Sequence, residues 1–315
     1  MIHLNRRCFL TAAAIQLTAA TDLARANDAD AAATIGFGFG TYGMKSLKTA
    51  DAINACAEIG YDGIEFALIS GWPTEPTTLG RRDRAEIRGQ LRDLNLTVPS
   101  LLDSLPCLRS DQQHAANLQR LKRATELAHD LAPETPPVIQ SIVAGKTDQW
   151  DETKGRLVDQ LSDWAEVGRE SETVICFKPH AAHAVHTPER ALWVHQQINS
   201  PWLKVVYDYS HFFLEGLSLA ASLNQLLPIT AYVQVKDSRG TPAKHEYLLP
   251  GDGETDYSEL LTVLKNFGYS GFVNVEVSSH VHRKPAYQPI ATARQCYQRL
   301  APLFESLKIR RPNVA

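Results

Sequence analysis

Gly271-Phe272-Val273-Asn274-Val275-Glu276-Val277 sets its three valines on one side of an extended chain and Asn274 and Glu276 on the other. Side chains alternate along a strand, so the stretch predicts one apolar face and one polar, ionisable face. A buried carboxylate is costly unless it is paired or ligated. The face that carries Glu276 therefore lines something other than a dry core.

Working outward, seven further short apolar or β-branched runs occupy 34–38, 63–68, 97–102, 138–143, 173–180, 203–208 and 231–237, and the quoted run extends over 272–278. Stretches with helical periodicity alternate with them, at 49–59, 82–94, 112–131, 154–169, 188–198, 217–227, 257–267 and 288–307. Thr187-Pro188 puts an N-cap before an N1 proline, and Gly60 and Gly268 follow helices as C-cap residues do. Eight strand–helix pairs without a glycine-rich dinucleotide turn predict an α/β fold, a single (β/α)8 or TIM barrel, rather than a doubly wound sheet. No long linker or low-complexity block interrupts the series, so one domain over 27–315 is expected.

Active sites of such barrels form at the C-terminal ends of the strands, from the last inward side chains. Alternation turns Glu65 inward on the second strand, Lys178 and His180 on the fifth, Gln234 and Lys236 on the seventh, and Asn274 and Glu276 on the eighth. The sixth ends in Tyr207-Asp208-Tyr209-Ser210-His211, an Asp and a His three residues apart and able to reach one centre. So many ionisable groups at one rim imply mutual pairing, a metal or a polar ligand. Plainer roles compete with chemistry: an interior ion pair for Lys178 with Glu276, cross-strand pairing for Lys236, orientation of a neighbour for Glu65, and capping for His183 and His186. Trp72, Tyr42, Tyr207 and Phe212 are candidates to stack on a sugar ring, or else belong to the core.

The 32 basic and 35 acidic residues among 315, a net charge of -3, are interspersed. They offer no basic face for nucleic acid or anionic lipid and favour a small neutral or weakly charged partner. Residues 1–26 differ from the rest: Arg6-Arg7-Cys8-Phe9-Leu10, a short apolar stretch and Ala24-Arg25-Ala26 resemble a twin-arginine export signal with its cleavage site. An exported chain, periplasmic or secreted, is expected, with no membrane attachment once the signal is removed. Cys56, Cys107, Cys176 and Cys296 are widely spaced and form no C-x-x-C, so neither a zinc knuckle nor a disulfide set is expected. Nothing in the composition opposes a homo-oligomer.

Gly60-Tyr61-Asp62-Gly63-Ile64-Glu65, Tyr207-Asp208-Tyr209-Ser210-His211, Val235-Lys236-Asp237 and Gly251-Asp252-Gly253, followed by Glu276, resemble in their order the sugar phosphate isomerase/epimerase superfamily of xylose isomerase-like barrels. The resemblance spans roughly Ile35 to Leu307. It implies one divalent cation held by a Glu, an Asp, a His and a Glu on strands five to eight. Asp208 and Glu276 match, whereas Lys178 and Gln234 stand at the other two positions, and His211 matches a residue that contacts substrate or a second metal. An ammonium repels a cation and an amide is a weaker ligand than imidazole. Either a rearranged centre of His180, Asp208, His211 and Glu276 holds Mn, Zn or Co, or Lys178 replaces the metal charge, electrostatically or as a Schiff base.

The expected chemistry is isomerisation or epimerisation of an unphosphorylated sugar or keto-sugar by proton transfer next to a carbonyl. Glu276, Lys178 and His211 are its catalytic groups, and Glu65, Gln234, Lys236 and His180 its substrate contacts. Elimination or hydrolysis of a keto-glycoside on the same site is the nearest rival, and a carbohydrate-binding barrel without turnover is the alternative from another class. An endonuclease with three zinc ions would need more metal ligands and a basic groove.

Overall fold

Phe272 does begin a strand, β10 (Phe272–Val275), and its parallel neighbours are β1 (Gly36–Gly40) and β7 (Thr230–Val235). The computed structural model describes residues 34–312, so the expected export segment lies outside the described residues. From β7 the ring continues through β6 (Leu203–Asp208), β5 (Ile175–Lys178), β4 (Val138–Ile142), β3 (Ser100–Leu102) and β2 (Gly63–Ala67) back to β1, every pairing parallel. This is the closed eight-stranded barrel that the alternation predicts.

The outward residues of these strands, including Phe37, Phe177, Val205, Val233, Val273 and Val275, join one apolar cluster with helix residues such as Leu121, Trp164 and Leu264. Inside, Cys176, Val206 and Tyr232 form an apolar floor backed by Val138, Val174, Ala231 and Phe272. Two to four residues further along β5, β6, β7 and β10 the interior turns polar, at Lys178, Asp208, Gln234, Asn274 and Glu276, all buried. The floor keeps water from the base of this polar layer.

β1 begins two residues later than its composition predicts, because Gly36-Phe37-Gly38-Phe39-Gly40 is glycine-rich and low in β propensity. Its glycines face inward and are required there: a Cβ on Gly38 would sit 2.6 Å from Asn274 Oδ1, and one on Gly40 3.0 Å from Glu65 Oε1. The helices Thr49–Ile59, Pro188–Ile198 and Tyr257–Phe267 have the predicted bounds. Thr187 accepts from Arg190 N at 3.4 Å, and Gly60 and Gly268 take positive φ of 104° and 79° as C-caps. No helix among the described residues is long and apolar enough to cross a membrane.

Two features depart from a plain alternation. After β7 the chain makes an antiparallel hairpin, β8 (Asp237–Thr241) and β9 (Lys244–Leu248), outside the barrel ring. Short helices are added as well: Tyr209–Leu214 follows β6 directly, and Ser279–His282 follows β10 after Glu276, Val277 and Ser278. Asp237 fixes the return from the hairpin: its Oδ2 accepts from Gly251 N and Gly253 N, both at 2.8 Å, and its Oδ1 from the Tyr257 hydroxyl at 2.9 Å. The Gly251-Asp252-Gly253 turn is thereby pinned to the residue that follows Lys236.

At the opposite end, the Gly60-Tyr61-Asp62-Gly63 turn is clamped by the C-terminal segment. Arg311 Nε donates to Asp62 Oδ2 at 2.7 Å and Nη2 to Gly60 O at 2.6 Å, while Phe37 N also donates to Asp62 Oδ2 at 2.8 Å. Replacing Asp62 by Ala leaves a buried guanidinium and an amide without this partner, and is expected to cost on the order of 3–5 kcal/mol. Urea unfolding of Asp62→Ala, Arg311→Met and the double variant checks this: the double variant should lose less than the sum of the singles.

Candidate active site

The polar layer gathers at the C-terminal mouth of the barrel, where the last inward residues of β5, β6, β7 and β10 and the residues just beyond them converge. Lys178 Nζ donates to Glu276 Oε2 at 2.6 Å and to Gln234 Oε1 at 2.7 Å. Lys236 Nζ donates to Glu276 Oε2 at 2.9 Å, to Asp208 Oδ2, and to His211 Nε2 at 3.3 Å. Asp208 turns its other oxygen, Oδ1, to Ser210, accepting from the backbone N at 3.2 Å and from Oγ at 2.7 Å. The start of the short helix thus fixes the carboxylate.

One step deeper, Glu65 accepts from Gln140 Nε2 at 2.5 Å and from Gln234 Nε2 at 2.9 and 3.1 Å. The Gln234 amide therefore joins the two layers, oxygen to Lys178 and nitrogen to Glu65. An amide at this position serves an ammonium and a carboxylate at once.

The electrostatics follow from burial and pairing. Burial pushes the Glu276 carboxyl up, but Lys178 and then Lys236 outweigh it and hold the group at about 2. Asp208 is likewise raised by burial and brought well below the ordinary range by Lys236 and His211. Burial pulls Lys236 down, and Asp208 and Glu276 more than restore it, so it stays an ammonium. His211 is lowered to about 4 by burial and by the Lys236 charge, against the pull of Asp208. Glu65 has amide partners but no cation in direct contact, and burial followed by the Glu276 charge raises it to about 7.

Above the layer opens a cavity of about 350 Å³ with Lys178, Lys236 and Glu276 in its wall. Tyr42, Asp103, Ser104, His180, His183, His245, Tyr247, Ser278, Ser279 and His280 complete its polar lining, among apolar patches from Ile69, Leu102 and Ile142. Asp103 is matched by Arg120, whose Nε lies 2.7 Å from Oδ2. The residues that the alternation assigns to the site separate by place: Lys178, Lys236, His180 and Glu276 meet the cavity, Asp208, Gln234 and Glu65 stand behind them, and His211 is fully buried. Tyr42 lines the cavity with Trp72 stacked behind it at 5.4 Å, whereas Tyr207 and Phe212 are core residues. His186 is held by the His183 carbonyl and by Arg190 and stays out of the wall.

The rearranged metal centre does not form. Asp208 and Glu276 are joined through the Lys236 ammonium and His211 Nε2 faces the same ammonium, so three of the four groups are directed at a lysine. Among the described residues no group of three or more His, Cys, Asp or Glu side chains is arranged to hold a metal ion. A divalent cation at this point would meet two ammonium groups within hydrogen-bond reach of its carboxylate ligands, so the residues present do not fit it. Lys178 is equally ill placed as a Schiff-base nucleophile, since it must first break its contact with Glu276.

Sequence reasoning missed Tyr247, His245, Asp103, His280 and Gln140. Tyr247 and His245 arrive on the hairpin, whose β9 sequence Lys244-His245-Glu246-Tyr247-Leu248 has no β-branched residue. Gln140 was legible by alternation on β4, as the central inward residue of Val138–Ile142.

The family profile described as xylose isomerase-like TIM barrel matches residues 53–300, and the chain belongs to that family. Fructoselysine 3-epimerase of Escherichia coli O157:H7 is 22% identical over 280 residues, covering 85% of this chain and 98% of the relative. The Homo sapiens protein with a provisional hydroxypyruvate isomerase designation is 30% identical over 92 residues, 29% of this chain, so the chain spans only 31% of that relative's length. Among solved structures, 3-keto-D-glucoside 4-epimerase from E. coli superposes with a TM-score of 0.69 at 16% identity, covering 85% of this chain and 100% of the other. The IOLI protein with a binding zinc atom does so with a TM-score of 0.71 at 20% identity, covering 86% and 99%. These structural likenesses establish the shared fold.

The raised Glu65 carboxyl predicts how stability varies with pH. Between its unfolded value near 4.5 and about 7 the folded chain holds a proton that the unfolded chain releases. Stability present below pH 4.5 is therefore lost as pH rises towards 7, by on the order of 3 kcal/mol. Chemical unfolding at pH 5 and pH 7.5 checks this, and Glu65→Gln should flatten the slope.

Proposed function

We propose that this chain is a sugar isomerase or epimerase that moves a proton next to a carbonyl of an unphosphorylated keto-sugar, with lysine ammonium in the role of a divalent cation. The observation that carries the proposal is the pair Lys178 and Lys236 seated between Asp208 and Glu276 at the cavity wall. Two ammonium groups bring the same formal charge as one divalent cation to this carboxylate pair. The isomerase and epimerase names of the relatives support the class of reaction.

The residues divide the work. Lys178 gives two of its three protons to Glu276 and Gln234, leaving one without a hydrogen-bond acceptor among the described residues. Facing the cavity, it is placed to donate to the substrate carbonyl and to stabilise the enediolate oxygen. Glu276 takes both lysines on Oε2 and has no hydrogen bond on Oε1 among the described residues, so Oε1 is the base that removes the proton next to the carbonyl. The lysines that keep it ionised also lower its basicity, so the proton transfer depends on Lys178 stabilising the enediolate oxygen as it forms. Among the described residues the wall contains no arginine, and both of its lysines are matched by carboxylates, which disfavours a phosphate group. An unphosphorylated substrate also agrees with an exported chain.

The test is deuterium incorporation from D2O into a panel of free ketoses and 3-keto-glucosides, followed by NMR with product analysis to separate isomerisation from elimination. Exchange should survive exhaustive chelation and fall about 10²- to 10³-fold in Lys178→Met. Activity lost on chelation and restored by Mn or Zn would overturn the lysine assignment. Tight binding of the same sugars without any exchange would make the chain a carbohydrate-binding barrel instead.

A further inference from the structure

His211 is fully buried and does not reach the cavity, whereas Tyr247 lines it and places its hydroxyl 2.8 Å from His211 Nδ1. We infer that Tyr247, carried over the barrel mouth by the hairpin, is a further catalytic residue: it presents a proton to the bound sugar while its oxygen is held by His211. The inference rests on the proton-transfer reading given under Proposed function and supplies the acid which that reading lacks.

Counting donors sets the direction of the hydrogen bonds. Lys236 has three protons and faces three acceptors, Asp208 Oδ2, Glu276 Oε2 and His211 Nε2. His211 Nε2 therefore accepts, so the imidazole carries its proton on Nδ1 and donates it to the Tyr247 oxygen. The Tyr247 proton is then free for a ligand. Were Nε2 protonated instead, its N–H would face the Lys236 ammonium at 3.3 Å and find only Asp208 Oδ2, 3.4 Å away and already taken by Lys236, which would leave the third Lys236 proton without an acceptor.

Tyr247 is held in this pose from several sides. Its ring stacks on His280 at 5.4 Å and lies 5.0 Å from Lys236 Nζ, and its backbone N donates to His280 Nδ1 at 3.1 Å. Arg239 and Lys284 both pair with Glu246, tying the two strands of the hairpin together and to the segment after β10.

The proton balance closes within the site. Glu276 takes the substrate C–H proton, and that bond's electron pair becomes the enediolate, whose oxygen Lys178 holds. The enediolate pair then takes the Tyr247 proton to form the new C–H bond. The proton on Glu276 then passes to the Tyr247 oxygen through the solvent of the cavity that both residues line, while His211 keeps its Nδ1–H on that oxygen throughout.

The experiment has two arms. In the wild-type chain, 15N-histidine NMR with His211 assigned by its loss in His211→Gln should show the Nδ1-protonated tautomer, and an Nε2-protonated ring would overturn the inference. On any keto-sugar that the wild type exchanges, Tyr247→Phe should lose at least about a hundredfold in rate with KM little changed and Tm retained. Exchange within threefold of wild type would overturn it. Should Tyr247→Phe fail to fold, fluorotyrosine at 247 takes its place and should move the alkaline limb of the pH profile to lower pH. If the wild type exchanges no sugar, the functional reading is what has failed, while the tautomer still decides whether Tyr247 is the proton that the site presents.

Discussion

Everything at the mouth of this barrel depends on four buried charges that neutralise one another. Lys178, Lys236, Asp208 and Glu276 are each almost wholly removed from water, and any one alone would be strongly disfavoured there. Joined, they form a network whose further contacts go to Gln234, Ser210 and His211, with one Lys178 N–H and Glu276 Oε1 left open towards the cavity. The apolar floor of Cys176, Val206 and Tyr232 keeps solvent from beneath it. A low local dielectric makes each of these contacts stronger and each omission more costly. The network is thus the support of the site and, in the proposed reaction, the source of its chemistry.

The same balance explains the departure from the ligand set that the family resemblance implies. A mobile divalent ion needs carboxylates and imidazoles with their lone pairs directed at one point. Here those lone pairs are directed at tethered ammonium groups, and the replacement of an acid by Lys178 makes sense only together with Gln234 and Lys236. Gln234 contributes because its amide accepts from Lys178 while donating to Glu65. An imidazolium in its place would add a third positive charge.

Much of this was legible in the sequence, and the limits have identifiable causes. The eight strands and the inward direction of Glu65, Lys178, Gln234, Lys236 and Glu276 follow from a two-residue period. So does the interior ion pair of Lys178 with Glu276, one of the readings that the residues themselves leave open. Periodicity reports a face and not a height. It therefore could not say that Lys236 lies between Asp208 and Glu276, and that placement removes the rearranged metal centre. The hairpin was missed because Asp237-Ser238-Arg239-Gly240-Thr241 has the composition of a loop. It pairs only because Asp237, fixed by two glycine amides and a tyrosine hydroxyl, sets where the chain leaves and returns.

The two lysines are not equivalent, and the difference lies in counting rather than in position. Lys236 meets an acceptor with every proton it has, so its charge is committed to Asp208, Glu276 and His211 and can act on a ligand mainly through the field. Lys178 keeps one N–H unspent, and its next carboxylate neighbour, Asp208, is 3.6 Å away, beyond a good hydrogen bond. A carbonyl oxygen entering the cavity can take that proton without breaking an existing contact. In the proposed reaction this donor discriminates in favour of the transition state, because the same N–H gains strength as the oxygen acquires negative charge. A barrel that supported a metal in this way would hold an open coordination position; this one holds an open hydrogen-bond donor.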